Sequence, residues 1–178
     1  MSNPARLIVF AGLPGTGKST LARMVAECFG AVWLRVDTLE ASLLKAGIPQ
    51  SFETGLAAYI AARDLAAVQL ELGRDVVIDA VNGVEPARQM WSDLSKEFHA
   101  VRHVIELVCP DEGEHRRRVE SRLPPTPPLP GPTWDEVVHR EYQTWNEPVL
   151  SLDGMKPPKE NLGRILDYVL VVESHPPL

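Results

Sequence analysis

Gly12-Leu-Pro-Gly-Thr-Gly-Lys-Ser-Thr20 is the stretch that decides the fold of this 178-residue chain. From Gly12 to Ser19 it matches G-x-x-x-x-G-K-[ST], the spacing of a phosphate-binding P-loop. The apolar run before it, residues 6–11, predicts a buried strand, and apolar residues recur at helical spacing after it. A strand, a glycine-rich loop and a helix thus follow in the order that the motif requires. The stretch therefore predicts nucleotide binding.

The chemistry of phosphate binding explains the residues of this motif. The N-terminus of a helix has unpaired N–H groups and a partial positive charge, which suit a phosphate. Glycines without a Cβ let the backbone come close to the phosphate oxygens. We expect Lys18 to reach the β- and γ-phosphates of ATP and the Ser19 hydroxyl to ligate Mg²⁺. The predicted nucleotide contacts are Gly12, Pro14, Gly15, Thr16, Gly17, Lys18, Ser19 and Thr20.

The composition indicates one globular domain. Hydrophobic residues make up 44% of the chain, and the formal net charge of −6 argues against broad electrostatic binding to nucleic acid. No apolar run is long enough to span a membrane, and the N-terminus has no signal-peptide pattern, so we expect a cytoplasmic protein. Cys28 and Cys109 lack metal-ligand spacing and are predicted to be buried free thiols. We expect a monomer or a small homo-oligomer.

Strand signals and helix signals alternate along the chain. This alternation predicts a three-layer α/β fold around a parallel five-stranded sheet, in which ligands bind beyond the carboxyl ends of the strands. We interpret residues 1–178 as a single domain with a helical, proline-rich lid at about 112–146. After the first strand, further strands are predicted at 31–36, 75–79, 101–108 and 148–153.

Asp37 follows the second predicted strand and is the candidate catalytic base. Phosphoryl transfer has a loose transition state, so a carboxylate needs only to orient the acceptor hydroxyl and take its proton as the new bond forms. The alternative role is an N-cap for a helix that begins at Thr38. Arg35 is expected to share a face with Asp37. It is a candidate contact to substrate or phosphate, or an ion-pair partner of a nearby acid.

Asp79 ends the third predicted strand, where a Walker B carboxylate lies. We expect it to hold Mg²⁺, through water, or to bind the acceptor substrate. The alternative is that it helps to make a turn, because Asn82 and Gly83 follow closely. The carboxyl ends of parallel strands lie at one edge of a sheet, so Asp37, Asp79 and the P-loop are expected to meet in one crevice.

A cluster of arginines lies on a helix that leads into the proline-rich segment 123–132. Arg118 and Arg122 are four residues apart and share a helix face. Folded over the phosphates, they would offset the charge that develops during transfer and exclude water. The alternative is a solvated helix face, which we assign to Arg116 and Arg117.

A second lid helix is predicted after the proline-rich segment. Thr133 and Glu136 have the spacing of a capping box. We expect the helix that they open to carry Val138, Tyr142 and Trp145 on one side.

With these residues in place, the chain resembles a family of small P-loop kinases of the zeta-toxin and AAA-like type. Members for comparison are chloramphenicol phosphotransferase and the kinase domain of phage polynucleotide kinase. Residues 12–20 match their P-loop, and residues 36–39 resemble the segment with the acceptor-activating aspartate. Residues 79–82 are similar to an Asp-x-x-Asn stretch, which implies that Asp79 and Asn82 contact the acceptor. Residues 118–122 resemble the lid pattern, which implies that Arg122 contacts the nucleotide phosphates.

Two departures from this family concern the acceptor. Polynucleotide kinases carry a further basic residue just after the aspartate, whereas Thr38, Leu39 and Glu40 follow here. The proline-rich lid is also unlike that of either relative. The resemblance therefore does not transfer the identity of the acceptor.

Three functions remain for the structure to separate. The first is an ATP- and Mg²⁺-dependent kinase for a hydroxyl of a metabolite, sugar or antibiotic. The second is a nucleoside, nucleotide or polynucleotide 5′-hydroxyl kinase, and the third is a switch or motor ATPase. A GTPase switch needs an Asn-Lys-x-Asp segment, which the chain lacks, and Asp79 is followed by Ala-Val-Asn, not x-x-Gly. The motifs favour a kinase and do not choose between ATP and GTP.

Overall fold

The computed structural model describes residues 4–121 and 131–174, in which five strands alternate with seven helices. The strands are β1 (Arg6–Ala11), β2 (Val32–Arg35), β3 (Val76–Asp79), β4 (Val101–Val108) and β5 (Leu150–Asp153). The helices are α1 (Lys18–Phe29), α2 (Val36–Lys45), α3 (Phe52–Glu71), α4 (Glu85–Glu97), α5 (Glu112–Glu120), α6 (Trp134–Val138) and α7 (Pro158–Ser174).

All strand pairs of the sheet are parallel, in the order β2-β3-β1-β4-β5. The central strand β1 is apolar on both faces because helices cover both sides of the sheet. Leu7 and Val9 pack into one core with residues of α3 and α4. Ile8 and Phe10 pack into a second core with residues of α1 and α7. The predicted three-layer α/β fold with a parallel five-stranded sheet is confirmed.

The sheet order brings the predicted site residues to one edge. In the register, Asp79 at the end of β3 lies beside Phe10 of β1 and beside Arg35 of β2. The P-loop begins directly after β1, and its Gly12 amide donates to the Val81 carbonyl at 3.1 Å. Three neighbouring strands therefore deliver the P-loop, Asp79 and the start of α2 to the same crevice.

The boundary between β2 and α2 corrects the sequence prediction. The strand ends at Arg35, and the helix begins at Val36, with Arg35 as its N-cap. Asp37 therefore lies in the first turn of α2, and the alternative role that the sequence allowed for Asp37, an N-cap, is wrong. Because the chain turns from strand to helix here, Arg35 and Asp37 belong to different elements, and the expectation of a shared strand face is also wrong.

Two other expectations differ from the structure. The capping box of Thr133 and Glu136 is present, but the helix that it opens ends at Val138. Tyr142 and Trp145 lie instead on the irregular segment 139–149 between α6 and β5, which we call the strap. Cys28 is exposed on α1 and not buried, because the apolar face of that helix runs through other positions.

The described residues were also searched for a helix with the length and apolarity to cross a membrane, and they contain none.

Candidate active site

The P-loop is shaped by backbone positions that exclude side chains. Gly12 has φ +140°, and a Cβ there would lie 2.4 Å from the Leu107 carbonyl oxygen. Gly15 and Gly17 also have positive φ. Thr16 is buried, and its hydroxyl donates to the Leu13 carbonyl at 2.9 Å. The loop is therefore held by its own main chain and by close packing on β4.

A cleft of about 220 Å³ opens over this loop. Lys18 is 6% exposed, and its Nζ lies 3.5 Å from the Leu13 carbonyl. Arg118 reaches the cleft from α5, so the lysine and the arginine approach the same space from two elements. Residues that line the cleft are Gly15, Gly17, Lys18, Ser19, Thr20 and Arg118.

The arginines of α5 have different environments. Arg118 donates from Nε to Glu114 at 2.7 Å and from Nη1 to the Gly154 carbonyl at 2.8 Å. Arg117 also donates to Glu114 but is exposed, and the two guanidiniums lower the pKa of Glu114 to about 2. Arg116 pairs with Glu120 on the solvated face. Of these three, Arg118 alone lines the cleft.

Arg122, the other predicted lid arginine, lies outside the described residues, as does most of the proline-rich segment. Its role stays a prediction.

Two residues near the P-loop were missed by sequence reasoning. His115 on α5 is buried, and its Nε2 lies 2.8 Å from the Pro14 carbonyl oxygen. Gly154 follows β5, and a Cβ there would lie 2.0 Å from the Thr16 carbonyl oxygen. Both contacts join parts of the chain more than a hundred residues apart, and no local pattern signals them.

Arg35 pairs with Asp79 at the end of the neighbouring strand. Its Nε lies 3.2 Å from Oδ2 of Asp79, whose side chain is 3% exposed. Neither atom has a partner that meets hydrogen-bond geometry. The guanidinium also lies over the Trp33 ring, 5.4 Å from its centre. The sequence allowed several roles for Arg35, and the structure shows one of them, an ion pair with a nearby acid.

Asp37 is exposed in the first turn of α2, where the partial positive charge of the helix N-terminus favours a carboxylate. Glu40 lies one turn later, and burial together with the charge of Asp37 raises its pKa. Burial also raises the pKa of Tyr59 to about 12. Arg140 of the strap opposes both shifts, so its charge lies near these groups.

Asn82 is fully buried and has a left-handed φ of +48°. Its Nδ2 donates to the Phe10 carbonyl at 2.8 Å, and its Oδ1 accepts from Trp91 Nε1 at 2.8 Å. Its backbone amide donates to the Tyr59 hydroxyl at 3.2 Å. Both ends of the side chain are thus engaged within the protein, and Asn82 joins β1, α3 and α4.

Arg88 of α4 is the main anchor of the strap. It is 3% exposed and donates to four main-chain carbonyls, at distances of 2.6–3.3 Å. Its guanidinium lies 3.8 Å from the centre of the Trp145 ring. The sequence offered no sign of this role beyond the position of Arg88 after the Asp-x-x-Asn stretch. The four carbonyls belong to Asn82, Gly83, Gln143 and Thr144.

Glu106 on β4 receives the aromatic residues of the strap. Its Oε1 accepts from the Tyr142 hydroxyl at 2.9 Å and from Trp145 Nε1 at 3.1 Å. Burial and the Glu106 carboxylate raise the pKa of Tyr142. The strap is therefore fixed to α4 by Arg88 and to β4 by Glu106.

The comparison with known families assigns the chain. A family model described as an AAA domain, AAA_33, matches residues 7–137, which include the P-loop, Asp37, Asp79 and Arg118. The chain belongs to this family.

Curated relatives match only over part of their length. An uncharacterized protein of Mycobacterium tuberculosis is 33% identical over 115 residues, which are 58% of this chain and 23% of the relative. A UPF0200 protein of Aeropyrum pernix is 38% identical over 101 residues, or 49% of this chain and 52% of the relative. The chain thus spans about half of one relative or less than a quarter of the other.

Several solved structures that are similar in fold to this AAA_33 chain have kinase names. A sugar kinase from Janibacter sp. HTCC2649 has a TM-score of 0.71 at 19% identity, covering 96% of this chain and 98% of that one. Mycobacterium tuberculosis APS kinase, in complex with AMPPNP and APS, has a TM-score of 0.71 at 18% identity, covering 95% of this chain and 99% of that one. A gluconokinase from Sinorhizobium meliloti 1021 has a TM-score of 0.66 at 17% identity, covering 98% of this chain and 100% of that one. The chain therefore has the P-loop kinase fold.

The oxygen ligands in the crevice fit a magnesium ion. Mg²⁺ takes hard oxygen ligands and keeps several waters, so one or two protein oxygens with the substrate phosphates suffice. Ser19 lines the cleft beside Lys18 and has a hydroxyl of this kind. Asp79 has a buried oxygen without a hydrogen-bond partner, although the Arg35 cation lies 3.2 Å from that same atom. The described residues contain no cluster of three or more His, Cys, Asp or Glu that could hold a metal by themselves.

Proposed function

We propose that this protein is an ATP- and Mg²⁺-dependent kinase that transfers the γ-phosphate of ATP to a hydroxyl group of a small molecule. One observation carries the proposal. The adjacent strands β2, β3 and β1 bring an exposed carboxylate, Asp37, to the sheet edge where the P-loop cleft opens. The kinase names of proteins with the same fold support this function.

The nucleotide half of the reaction is assigned to the P-loop cleft. Lys18 and Arg118 bring two cations to the triphosphate, where they offset the charge that develops on the transferred group. Ser19 would hold Mg²⁺, which would offset negative charge on the phosphates when it is bound. Asp79 would reach the metal through water, because the Arg35 guanidinium next to Oδ2 opposes direct ligation. Arg122 is proposed as a further phosphate contact from the lid.

Asp37 is proposed as the catalytic base. Its exposed position leaves room for an acceptor hydroxyl beside it. An aspartate of ordinary basicity, with a reference pKa of about 3.9, is adequate, because the proton leaves as the P–O bond forms. The alternative role of Asp79, in place of the metal contact, is to orient the acceptor from the neighbouring strand. Asn82 supports the floor of the crevice through its internal hydrogen bonds.

The charges beside Asp37 favour a small, uncharged hydroxyl acceptor such as a metabolite, sugar or antibiotic. Glu40 adds a second acidic group, and Arg140 is the cation that opposes the rise of its pKa. A polynucleotide or nucleotide brings phosphate charge that this mixed surface matches poorly. A 5′-hydroxyl kinase is the second candidate, and Arg140 is the residue that would favour it.

We further propose that residues 1–178 act as one kinase domain with a lid at about 112–146. We place this domain in the cytoplasm as a monomer or small homo-oligomer, with a small-molecule acceptor as its partner, nucleic acid as the alternative partner and no membrane partner.

The test measures ATP consumption by the purified protein with Mg²⁺. The acceptors are a library of hydroxylated metabolites, sugars, antibiotics, nucleosides and 5′-hydroxyl oligonucleotides. Asp37→Asn is run in parallel, with Asp93→Asn as the control, because Asp93 is exposed on α4 and pairs with Lys96 and Gln89 of the same helix. We expect Asp37→Asn to lower kcat by about 10²- to 10⁴-fold while ATP still binds. Asp93→Asn should match the wild type.

Each outcome separates the candidate functions. Stimulation by one class of small molecule, lost in Asp37→Asn, supports the proposed kinase and its base. Stimulation by oligonucleotides or nucleosides alone supports the 5′-hydroxyl kinase. Steady hydrolysis that ignores every acceptor and the Asp37→Asn change contradicts the kinase and supports an ATPase of the switch or motor type.

A further inference from the structure

We propose that His115 is a positioning residue of the nucleotide site, which holds the peptide between Pro14 and Gly15 in one orientation. This inference rests on the nucleotide-binding half of the proposed function. It assigns a role to a histidine that belongs to no catalytic motif of the chain.

His115 has the geometry of a donor to the P-loop. It is 7% exposed on α5, and its Nε2 lies 2.8 Å from the Pro14 carbonyl oxygen. A carbonyl oxygen only accepts hydrogen bonds, so the hydrogen of this bond is on Nε2. The bond spans 101 residues of sequence and ties the loop to the helix that carries Arg118.

The bond determines which way the next amide points. In a trans peptide the C=O and the N–H lie in one plane and point in opposite directions. When His115 holds the Pro14 carbonyl, the Gly15 N–H points away from α5. Gly15 lines the cleft, where phosphate-binding loops use amides of this kind.

The loop needs such a restraint because Gly15 is a glycine with φ +87°. A glycine adopts both signs of φ with little steric cost, so the peptide before it can rotate more easily than before another residue. A Cβ at Gly15 would lie 2.8 Å from Val119 Cγ2 and 3.3 Å from His115 Cδ2. The close packing of α5 thus requires the glycine, and His115 restrains the freedom that the glycine brings.

His115 acts from behind the loop. The residues that line the cleft are those of the P-loop together with Arg118, and the imidazole is not among them. The ring also meets Trp134 edge-on, with centres 5.2 Å apart. Trp134 is the first residue of α6, so the ring lies between the P-loop and the lid helix. A change in His115 should therefore alter nucleotide affinity without removing a direct contact to the ligand.

The experiment measures the Kd of a fluorescent ribose-labelled ATP for three variants and the wild type. His115→Phe keeps a ring against Trp134 and has no donor, whereas His115→Gln keeps a donor at a similar reach. Leu94→Ala is the control for lost stability, because Leu94 is fully buried on α4, away from the P-loop. Melting temperatures of all four proteins are recorded alongside.

We expect His115→Phe to bind labelled ATP about 5- to 10-fold more weakly, the loss for one hydrogen bond. His115→Gln should remain within about 2-fold of the wild type, and Leu94→Ala should lose melting temperature but not affinity. Equal affinity of His115→Phe and the wild type overturns the inference. So does a loss in His115→Gln as large as in His115→Phe, or an equal loss in Leu94→Ala. Failure of the wild type to bind labelled ATP contradicts the proposed function itself.

Discussion

The proposed nucleotide side of the crevice, at the P-loop cleft, and its proposed acceptor side, around Asp37 and the strap, are built by different kinds of contact. On the nucleotide side, main-chain atoms make the contacts that hold the P-loop in place. Gly12 packs on the Leu107 carbonyl, its amide donates to the Val81 carbonyl, and Gly154 packs on the Thr16 carbonyl. Few side chains could be accommodated at these positions, because backbone atoms already fill the space.

On the acceptor side, buried and half-buried polar side chains replace the main chain as the connecting elements. Asn82 joins β1 to α4, Arg88 joins the β3–α4 loop to the strap, and Glu106 accepts from two aromatic residues of the strap. The shape of this side therefore depends on the identity of a few side chains and on contacts between distant parts of the sequence. We infer that nucleotide binding follows from the loop backbone, while the acceptor surface is set by these side chains.

The largest effect is expected for Arg88→Met. The methionine keeps apolar bulk but removes the Arg88 hydrogen bonds to four carbonyls, of which the Gly83 carbonyl still accepts from the Gln143 amide, and it removes the cation over Trp145. We expect the free energy of unfolding to fall by about 4 kcal/mol. Urea denaturation measures the loss, and labelled-ATP binding by the folded protein should stay near that of the wild type.

Arg102→Met is the control for Arg88→Met. Arg102 also binds the strap, through a two-pronged ion pair with Glu147, but solvent reaches that pair, in which 18% of the Arg102 side chain and 41% of the Glu147 side chain are exposed. Its loss should lower the free energy of unfolding by about 1 kcal/mol or less. Two results would contradict the division between the nucleotide side and the acceptor side. One is an equal loss of unfolding free energy in the two variants, and the other is a large loss of affinity for labelled ATP in Arg88→Met.

Gly154→Ala tests the nucleotide side. The new Cβ would lie 2.0 Å from the Thr16 carbonyl oxygen and 3.2 Å from the Val108 carbonyl oxygen, and main-chain atoms cannot rotate away. We expect a loss of about 3 kcal/mol in the free energy of unfolding, together with weaker binding of labelled ATP. Gly163→Ala is the matched control, because Gly163 is on α7 with no atom within 4 Å of its added Cβ. It should stabilise the protein by about 0.5–1 kcal/mol. Unchanged ATP affinity in Gly154→Ala would show that the loop does not depend on this packing.

The smallest effect is a pH dependence of the acceptor side. Burial raises the pKa of Tyr59 to about 12, from an ordinary value of 10. Above pH 10 the unfolded chain releases a proton that the folded protein retains. The contribution of protonated Tyr59 to the free energy of unfolding is therefore complete below pH 10, and it is lost as the pH rises towards 12. At pH 11 the loss is about 1.4 kcal/mol.

Urea denaturation at pH 8 and pH 11 checks this value in the wild type and Tyr59→Phe. The wild type should lose about 1.4 kcal/mol more than the variant between these two pH values. Comparing the differences cancels the constant cost of losing the hydroxyl that accepts from the Asn82 amide. An equal loss in both proteins would mean that Tyr59 ionises as freely when folded as when unfolded.

The sequence predicted most of the fold because its signals are local. The P-loop spacing, the apolar runs of β1, β3 and β4 and the glycine that ends α1 each act over a few residues. At the end of α6, where the prediction was wrong, a tertiary contact prevailed over a local pattern. The capping box at Thr133 correctly predicted the start of α6, but the strap leaves the helix early and binds Arg88 and Glu106.

The site divides in the same way. Lys18, Ser19 and Arg118 line the cleft, and their predicted roles in nucleotide and metal binding stay predictions. The exposed position of Asp37 in the first turn of α2 is compatible with its predicted role, which stays a prediction. Sequence spacing could not reveal the pairing of Arg35 with Asp79, because neighbours across parallel strands are set by sheet order and register.

By itself, the sequence determined a parallel α/β sheet with a P-loop at the carboxyl end of its first strand. Glycine conformations and hydrophobic periodicity are properties of short segments and can be read without the rest of the chain. Only the tertiary structure decided that His115 supports Pro14 and that Arg88 fastens the strap. A buried polar side chain binds whichever carbonyls the packing of distant elements brings within reach, and here those partners are 101 and 55 residues away.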